Sequence, residues 1–285
     1  MSYIDPPKNT LPVSVTTLFK MKEAGNKITS LTAYDASFAA LFDQHGIDVI
    51  LIGDSLGNVI QGHSTTIPVQ VADVVYHTAC VARASSRSFL VADLPFASYG
   101  NAEMALKNAT LLMQAGAQMV KLEGGKWLVE IIEHLVKQGI PVCAHLGLTP
   151  QSVNTLGGFK VQGKTNTAAQ IMREDALALE AAGAQLLVLE AIPSSLGKSI
   201  TESLTIPTVG IGAGPDCSGQ VLVMHDAIGA FPGRQPKFVK NFLECTGTIE
   251  KAIKLYIEEV KSGVFPAPEH CFSDWCLFWM IQKKA

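Results

Sequence analysis

The chain has 285 residues, a net charge of −3, 48% hydrophobic residues and 16% charged ones. That apolar share supports a sizeable core and excludes a disordered chain. The lysines and arginines are scattered rather than gathered in a basic stripe, so a nucleic-acid surface is not expected, and no apolar run approaches the ~18 residues of a membrane helix.

The opening MSYIDPPKNTLP is polar and proline-rich, without the apolar centre of a signal peptide. Residues 14–24 (SVTTLFKMKEA) predict a short helix, well placed to plug a barrel floor. Eight apolar or β-branched runs follow: 28–35, 48–54, 88–95, 118–125, 140–148, 185–192, 206–214 and a weaker 220–229. Runs this continuously apolar suit a parallel sheet buried on both faces. Helical patterns between them cover 36–45, 101–115 and 168–182, each ending before a glycine, as the αβ connections of a repeating βα unit do. Eight such repeats without a linker predict one α/β domain spanning 1–285, a closed (β/α)8 TIM barrel with a short N-terminal helix. An open doubly wound sheet is the alternative. Two further pieces fall outside the repeat. The polar loop 149–166 has the composition of an active-site lid, and the C-terminal extension 266–285 is apolar enough to pack on the body or on another subunit. Six cysteines with no C-x-x-C pair point to reduced thiols in a cytoplasmic protein.

In a barrel the carboxyl ends of all strands point to one rim. Here those ends carry Asp54, Asp93, Lys121, Glu123, His145 and Glu190. Any one alone reads as a turn residue, a helix cap or a satisfied interior group; their convergence reads as a reaction site. Asp54, Asp93 and Glu123 offer hard oxygen ligands, which suit Mg²⁺ and not structural zinc. Such an ion can grip a 2-keto acid and stabilise its enolate as a Lewis acid, with Glu190 as the separate general base and Lys121 neutralising substrate charge. The glycine run GIGAG (210–214) fails the G-x-G-x-x-G dinucleotide fingerprint, because Pro215 and Cys217 stand where the last glycine would fall. It is either a tightly packed strand exit or a backbone surface beside a bulky ligand.

Seven segments together closely resemble the ketopantoate hydroxymethyltransferase family: LTAYD (31–35), IGDSLGNVIQGHSTT (52–66), VADLPFASY (91–99), VKLEGG (120–125), AHLGLTPQ (144–151), GIGAGP (210–215) and GQVLV (219–223). The resemblance implies a Mg²⁺-dependent barrel that uses methylene-tetrahydrofolate to hydroxymethylate α-ketoisovalerate. It implies Asp54 and Asp93 as direct metal ligands, Glu123 near the metal through water, and Glu190 as catalytic base. It also implies contacts to the keto acid from Ser55 and Lys121, His145 beside it, and a cytoplasmic homodecamer. Ser218 departs from the acidic residue expected ahead of GQVLV, and residues 273–285 extend past the usual ending. Two other readings remain open at this stage. One is a lyase or mutase of the phosphoenolpyruvate mutase type, though no K-K-C-G-H-like run is present; the other is a non-catalytic barrel whose rim carboxylates are dispensable.

Overall fold

Apolar runs became strands wherever both faces could be covered. The computed structural model describes residues 11–233 and 235–273. Its strands are β1 (Ile28–Thr32), β2 (Val49–Ile52), β3 (Phe89–Asp93), β4 (Met119–Glu123), β5 (Val142–Gly147), β6 (Leu186–Glu190), β7 (Thr208–Ile211) and β8 (Gly219–Leu222). Every residue of β1, β3 and β4 is buried, as strands between an inner core and an outer layer of helices must be. All neighbours pair in parallel in chain order, and β8 returns to β1 with Ile28 opposite Gly219, closing the barrel. The (β/α)8 expectation holds, and the open sheet is excluded.

The helix bounds follow from capping chemistry. Helix Ala36–His45 matches its predicted range, capped by Asp35, which accepts from the amides of Ser37 and Phe38, and stopped by left-handed Gly46. Helix Ala102–Gln114 starts behind Asn101, and helix Asn166–Ala181 begins two residues earlier than expected because Thr165 supplies its cap. The run 220–229 does not stay extended. It leaves the sheet after Leu222 and turns into a short helix, Met224–Ala227.

The leading helix, Val15–Glu23, crosses the amino-terminal end of the barrel. Val13 donates its amide to Arg87 O just before β3, while the Lys22 ammonium reaches Thr201 O, Leu204 O and Ile206 O (3.0, 2.7 and 2.7 Å) ahead of β7. These anchors lie four strands apart, with Leu18 buried between them, so the helix closes the floor. Lys22→Met leaves three carbonyls without that donor. It is expected to cost about 1–3 kcal/mol, read as a lower urea midpoint at unchanged slope.

Ser218, the departure noted in the sequence, sits at the start of β8 on this floor, where its hydroxyl accepts from the Thr208 amide at 3.2 Å. It is far from the carboxyl rim. At the closing seam the Tyr256 hydroxyl lies between Ser30 O and Gln220 O (2.8 and 2.9 Å), carbonyls of β1 and β8. The glycines of 210–214 serve close packing: a side chain on Gly212 would meet Phe238 at 2.8 Å, and one on Gly214 would meet Ser194 at 2.6 Å. Of the C-terminal extension, the described part packs on the body through Phe272 O, which accepts from the Ser194 amide at 2.9 Å; residues 274–285 lie outside the described range. The cysteines among the described residues are free thiols.

Candidate active site

Alternation along β4 sends Lys121 and Glu123 to the same face, into the barrel, because side chains two apart share one side of a strand. Register then sets their neighbours: Asp93 stands opposite Lys121, and His145 opposite Glu123. All four are buried. The Lys121 ammonium lies 2.6 Å from Asp93 Oδ1 and 3.8 Å from Glu123 Oε1. His145 Nδ1 lies 3.1 Å from Glu123 Oε1.

Asp54 is not on β2 itself. The strand ends at Ile52, and Asp54 stands in the turn beyond it, its amide donating to Asp93 Oδ2 at 3.0 Å. Gly53 makes that turn possible, since a side chain there would come within 2.8 Å of Ser55 Oγ and 3.5 Å of Asp93 Oδ2. Ser55 Oγ shares a hydrogen bond with the Tyr34 hydroxyl at 2.8 Å. Glu190 ends β6, four strands round the ring from β2, so Asp54 and Glu190 stand on opposite sides of the mouth. Its Oε2 is 3.4 Å from His145 Nε2. That ion-pair contact is too poorly aligned for a hydrogen bond, and it leaves Nε2 buried with no hydrogen-bond partner among the described residues.

Gln151 is the residue the sequence analysis missed. It is buried at the start of the 149–166 loop and joins the cluster from above. Its side-chain amide donates to Asp54 Oδ2 (2.8 Å) and Leu94 O (3.0 Å), its backbone amide donates to Glu123 Oε2 (3.0 Å), and its side-chain Oε1 accepts from the Tyr99 hydroxyl. The only sequence signal was its place at the end of AHLGLTPQ.

The electrostatics of the group are uneven. Burial, reinforced by the charges of Asp93 and Glu123, pushes the Asp54 carboxyl well above the ordinary range. Glu123 goes the other way: burial alone would raise it, but the charge and hydrogen bond of His145, with Lys121 behind them, hold it below. Burial would likewise lower His145, yet Glu123 and Glu190 raise it to about 9, which makes it an imidazolium at neutral pH. Among the described residues no three His, Cys, Asp or Glu side chains stand as a ready-made metal cluster, and the Lys121 ammonium sits against Asp93 instead. The donor chemistry still fits a magnesium-type ion, which needs only one or two carboxylates and takes its other oxygens from water and substrate. Asp54 and Asp93 offer two buried carboxylates of that kind, and the negative charge crowding Asp54 is what a divalent cation would relieve.

These groups open into a cavity of about 800 Å³ lined also by Phe159, Lys160 and Val161 of the 149–166 loop and by Phe272. Of the predicted residues, Asp54, Ser55, Asp93, Lys121, Glu123, His145 and Glu190 all line it. A strained backbone marks the Glu190 edge. Ala191 has φ 46°, and Gly147 on β5 leaves room for Glu190 O, which a side chain there would approach within 2.1 Å.

Fold and rim define the class: a (β/α)8 barrel that gathers ionisable side chains at the carboxyl ends of its strands. The model of the ketopantoate hydroxymethyltransferase family matches residues 12–268, and the chain belongs to that family. It is 62% identical over 261 residues to the 3-methyl-2-oxobutanoate hydroxymethyltransferase of Shewanella loihica, covering 92% of this chain and 99% of that one. The enzyme of the same name from Burkholderia multivorans is 61% identical over 260 residues, covering 91% and 96%. Among solved structures, a phosphonopyruvate hydrolase in complex with oxalate and Mg²⁺ superposes with a TM-score of 0.59 at 15% identity, over 95% of this chain and 96% of that one. A 2,3-dimethylmalate lyase gives 0.55 at 15%, over 78% and 81%. At such identities the two share the fold alone. Among the described residues no helix is long and apolar enough to cross a membrane.

Proposed function

We propose that the chain transfers a hydroxymethyl group from methylene-tetrahydrofolate to C3 of 3-methyl-2-oxobutanoate (α-ketoisovalerate), giving ketopantoate for the pantothenate route, in the cytoplasm and as a homodecamer. The observation that carries the chemistry is the opposition of Glu190 on β6 to the Asp54–Asp93 pair beyond β2 and on β3, across one cavity. A proton-abstracting base must stand apart from the groups that bind the keto acid's oxygens, and this spacing provides it.

Asp54 and Asp93 would hold the Mg²⁺, with Glu123 behind them through water. When bound, the ion supplies Lewis-acid polarisation of the keto oxygen. Gln151 orients the Asp54 carboxylate, and Ser55 and Lys121 meet the substrate carboxylate. Glu190 takes the proton from C3, and the electron pair moves toward the keto oxygen to form the enolate. His145, positively charged and with its Nε2–H free, stabilises Glu190 before that transfer. Water adds to the iminium carbon of the folate and the carbon–nitrogen bond breaks, the nitrogen keeping the pair and leaving as tetrahydrofolate. C3 then adds to the formaldehyde released, whose oxygen takes up a proton. The net change adds CH₂OH to C3, its oxygen supplied by water, and returns tetrahydrofolate.

Proton exchange separates the enolisation half from the folate half. In heavy water with Mg²⁺ and no folate, the protein is expected to exchange the C3 proton of α-ketoisovalerate for deuterium, visible as loss of the C3–H signal by NMR. Exchange that occurs only when folate is added would sink the proposed order.

A further inference from the structure

The cavity is far larger than a five-carbon keto acid requires, and the wall beyond β8 has chemistry the enolisation does not use. Asp226 lines it, on the short helix Met224–Ala227, which the Met224 amide ties to Thr32 Oγ1 of β1 at 3.0 Å. Burial alone perturbs this carboxyl, lifting it to about 6, with no hydrogen bond or opposite charge among the described residues to offset it. Asp226 is partly buried on that wall, and its oxygens keep acceptor capacity that a ligand with N–H donors can use.

The same cavity is lined by Phe159, Phe231, Phe238 and Phe272 and by Lys160 and Lys237. Phe238 and Phe272 meet edge to face at 6.4 Å, and the Lys237 ammonium stands 5.4 Å from the Phe272 ring centre. A carboxylate, aromatic rings and cations lining one cavity complement a flat heterocycle that carries an amino–amide edge and carboxylates. A reduced folate carries those groups.

We infer that Asp226 recognises the folate co-substrate, its carboxylate accepting two hydrogen bonds from the 2-amino group and the adjacent ring N–H of the pterin. The phenylalanines cover the ring system, and the two lysines meet the glutamate carboxylates. This rests on the folate use proposed above. It makes Asp226 a specificity residue for the second substrate, separate from the groups that handle the first.

Calorimetric titration of the full chain with tetrahydrofolate, in the presence of Mg²⁺ and α-ketoisovalerate, tests it. Asp226→Asn keeps the volume but replaces one acceptor by a donor, and it is expected to weaken binding roughly ten- to a hundredfold. A 2-desamino tetrahydrofolate, lacking one donor, is expected to bind the wild type more weakly, yet to bind Asp226→Asn about as well as tetrahydrofolate does. The two losses then overlap, as those of directly paired groups do. Because this coupling compares two ligands on one protein, partial unfolding of the variant cannot imitate it. Losses that simply add, or unchanged affinity in Asp226→Asn, overturn the inference. Failure of the wild type to bind tetrahydrofolate at all removes the folate reading itself.

Discussion

Glu190→Gln is expected to slow deuterium exchange at C3 of α-ketoisovalerate by about 10²–10⁴-fold, the usual contribution of a positioned general base. The substitution keeps size and shape, and the side chain is only partly buried at the cavity wall, so the fold is not at risk. Glutamine keeps an oxygen near His145 Nε2, but it cannot take a proton. The Asp54, Asp93 and Gln151 contacts lie on the other side of the mouth and stay in place. Mg²⁺ affinity, followed by calorimetry, should therefore match that of the wild type. Exchange at the wild-type rate would assign the base to another group, and a parallel loss of Mg²⁺ affinity would mean that the site had collapsed.

The second large effect concerns stability. Lys121 is buried between Asp93 and Glu123, and Asp54 feels its charge as well. These neighbouring charges, above all Asp93, raise the Lys121 pKa despite its burial. Lys121→Met keeps most of the volume and removes the only lysine of the cluster. Breaking a buried ion pair from one side typically costs about 3–5 kcal/mol, because the remaining charge stays desolvated and unpaired. For a chain of this size that is a fall in Tm of roughly 10 °C. The pH dependence has a definite sign. Asp54 already has a folded pKa above its unfolded value, so the native state binds the extra proton and stability falls as pH rises through the folded pKa. Without Lys121 that upward displacement grows. The deficit against the wild type should thus be smallest near pH 4 and largest at pH 8. A deficit independent of pH across that range would mean that Lys121 acts by packing alone.

The elements most legible in the sequence are those with local punctuation. Helix Ala36–His45 is framed by Asp35 and Gly46, and both its bounds follow from residues within one turn of its ends. Helix Val71–Ala82 was passed over. Its β-branched Val71, Val74 and Val75 favour strand as readily as helix, and it ends at Arg83 in a right-handed conformation, with no glycine to mark the stop. The last apolar run misled for the opposite reason. Periodicity continues beyond Leu222, but β7 pairs with β8 only as far as Gln220 and β1 only as far as Leu222, and backbone without a ladder partner turned to helix.

The same division runs through the site. Lys121 and Glu123, two apart on β4, declared a shared face from spacing alone, because alternation is a property of any strand. The eightfold recurrence likewise foretold a barrel, and a barrel collects strand ends on one rim. Gln151 carried no such mark. It is an amide in a polar loop until the closed ring brings it to Asp54, 97 residues earlier in the chain, and to Glu123, 28 residues earlier. Asp226 and the phenylalanines of the mouth are the same kind of case. Patterning is a local consequence of backbone geometry and burial, so sequence by itself determined which side chains point inward and at which end. Which of them touch, and hence which carboxyl is displaced upward and which is held down, depends on ring closure and loop placement, and only the tertiary structure decided it.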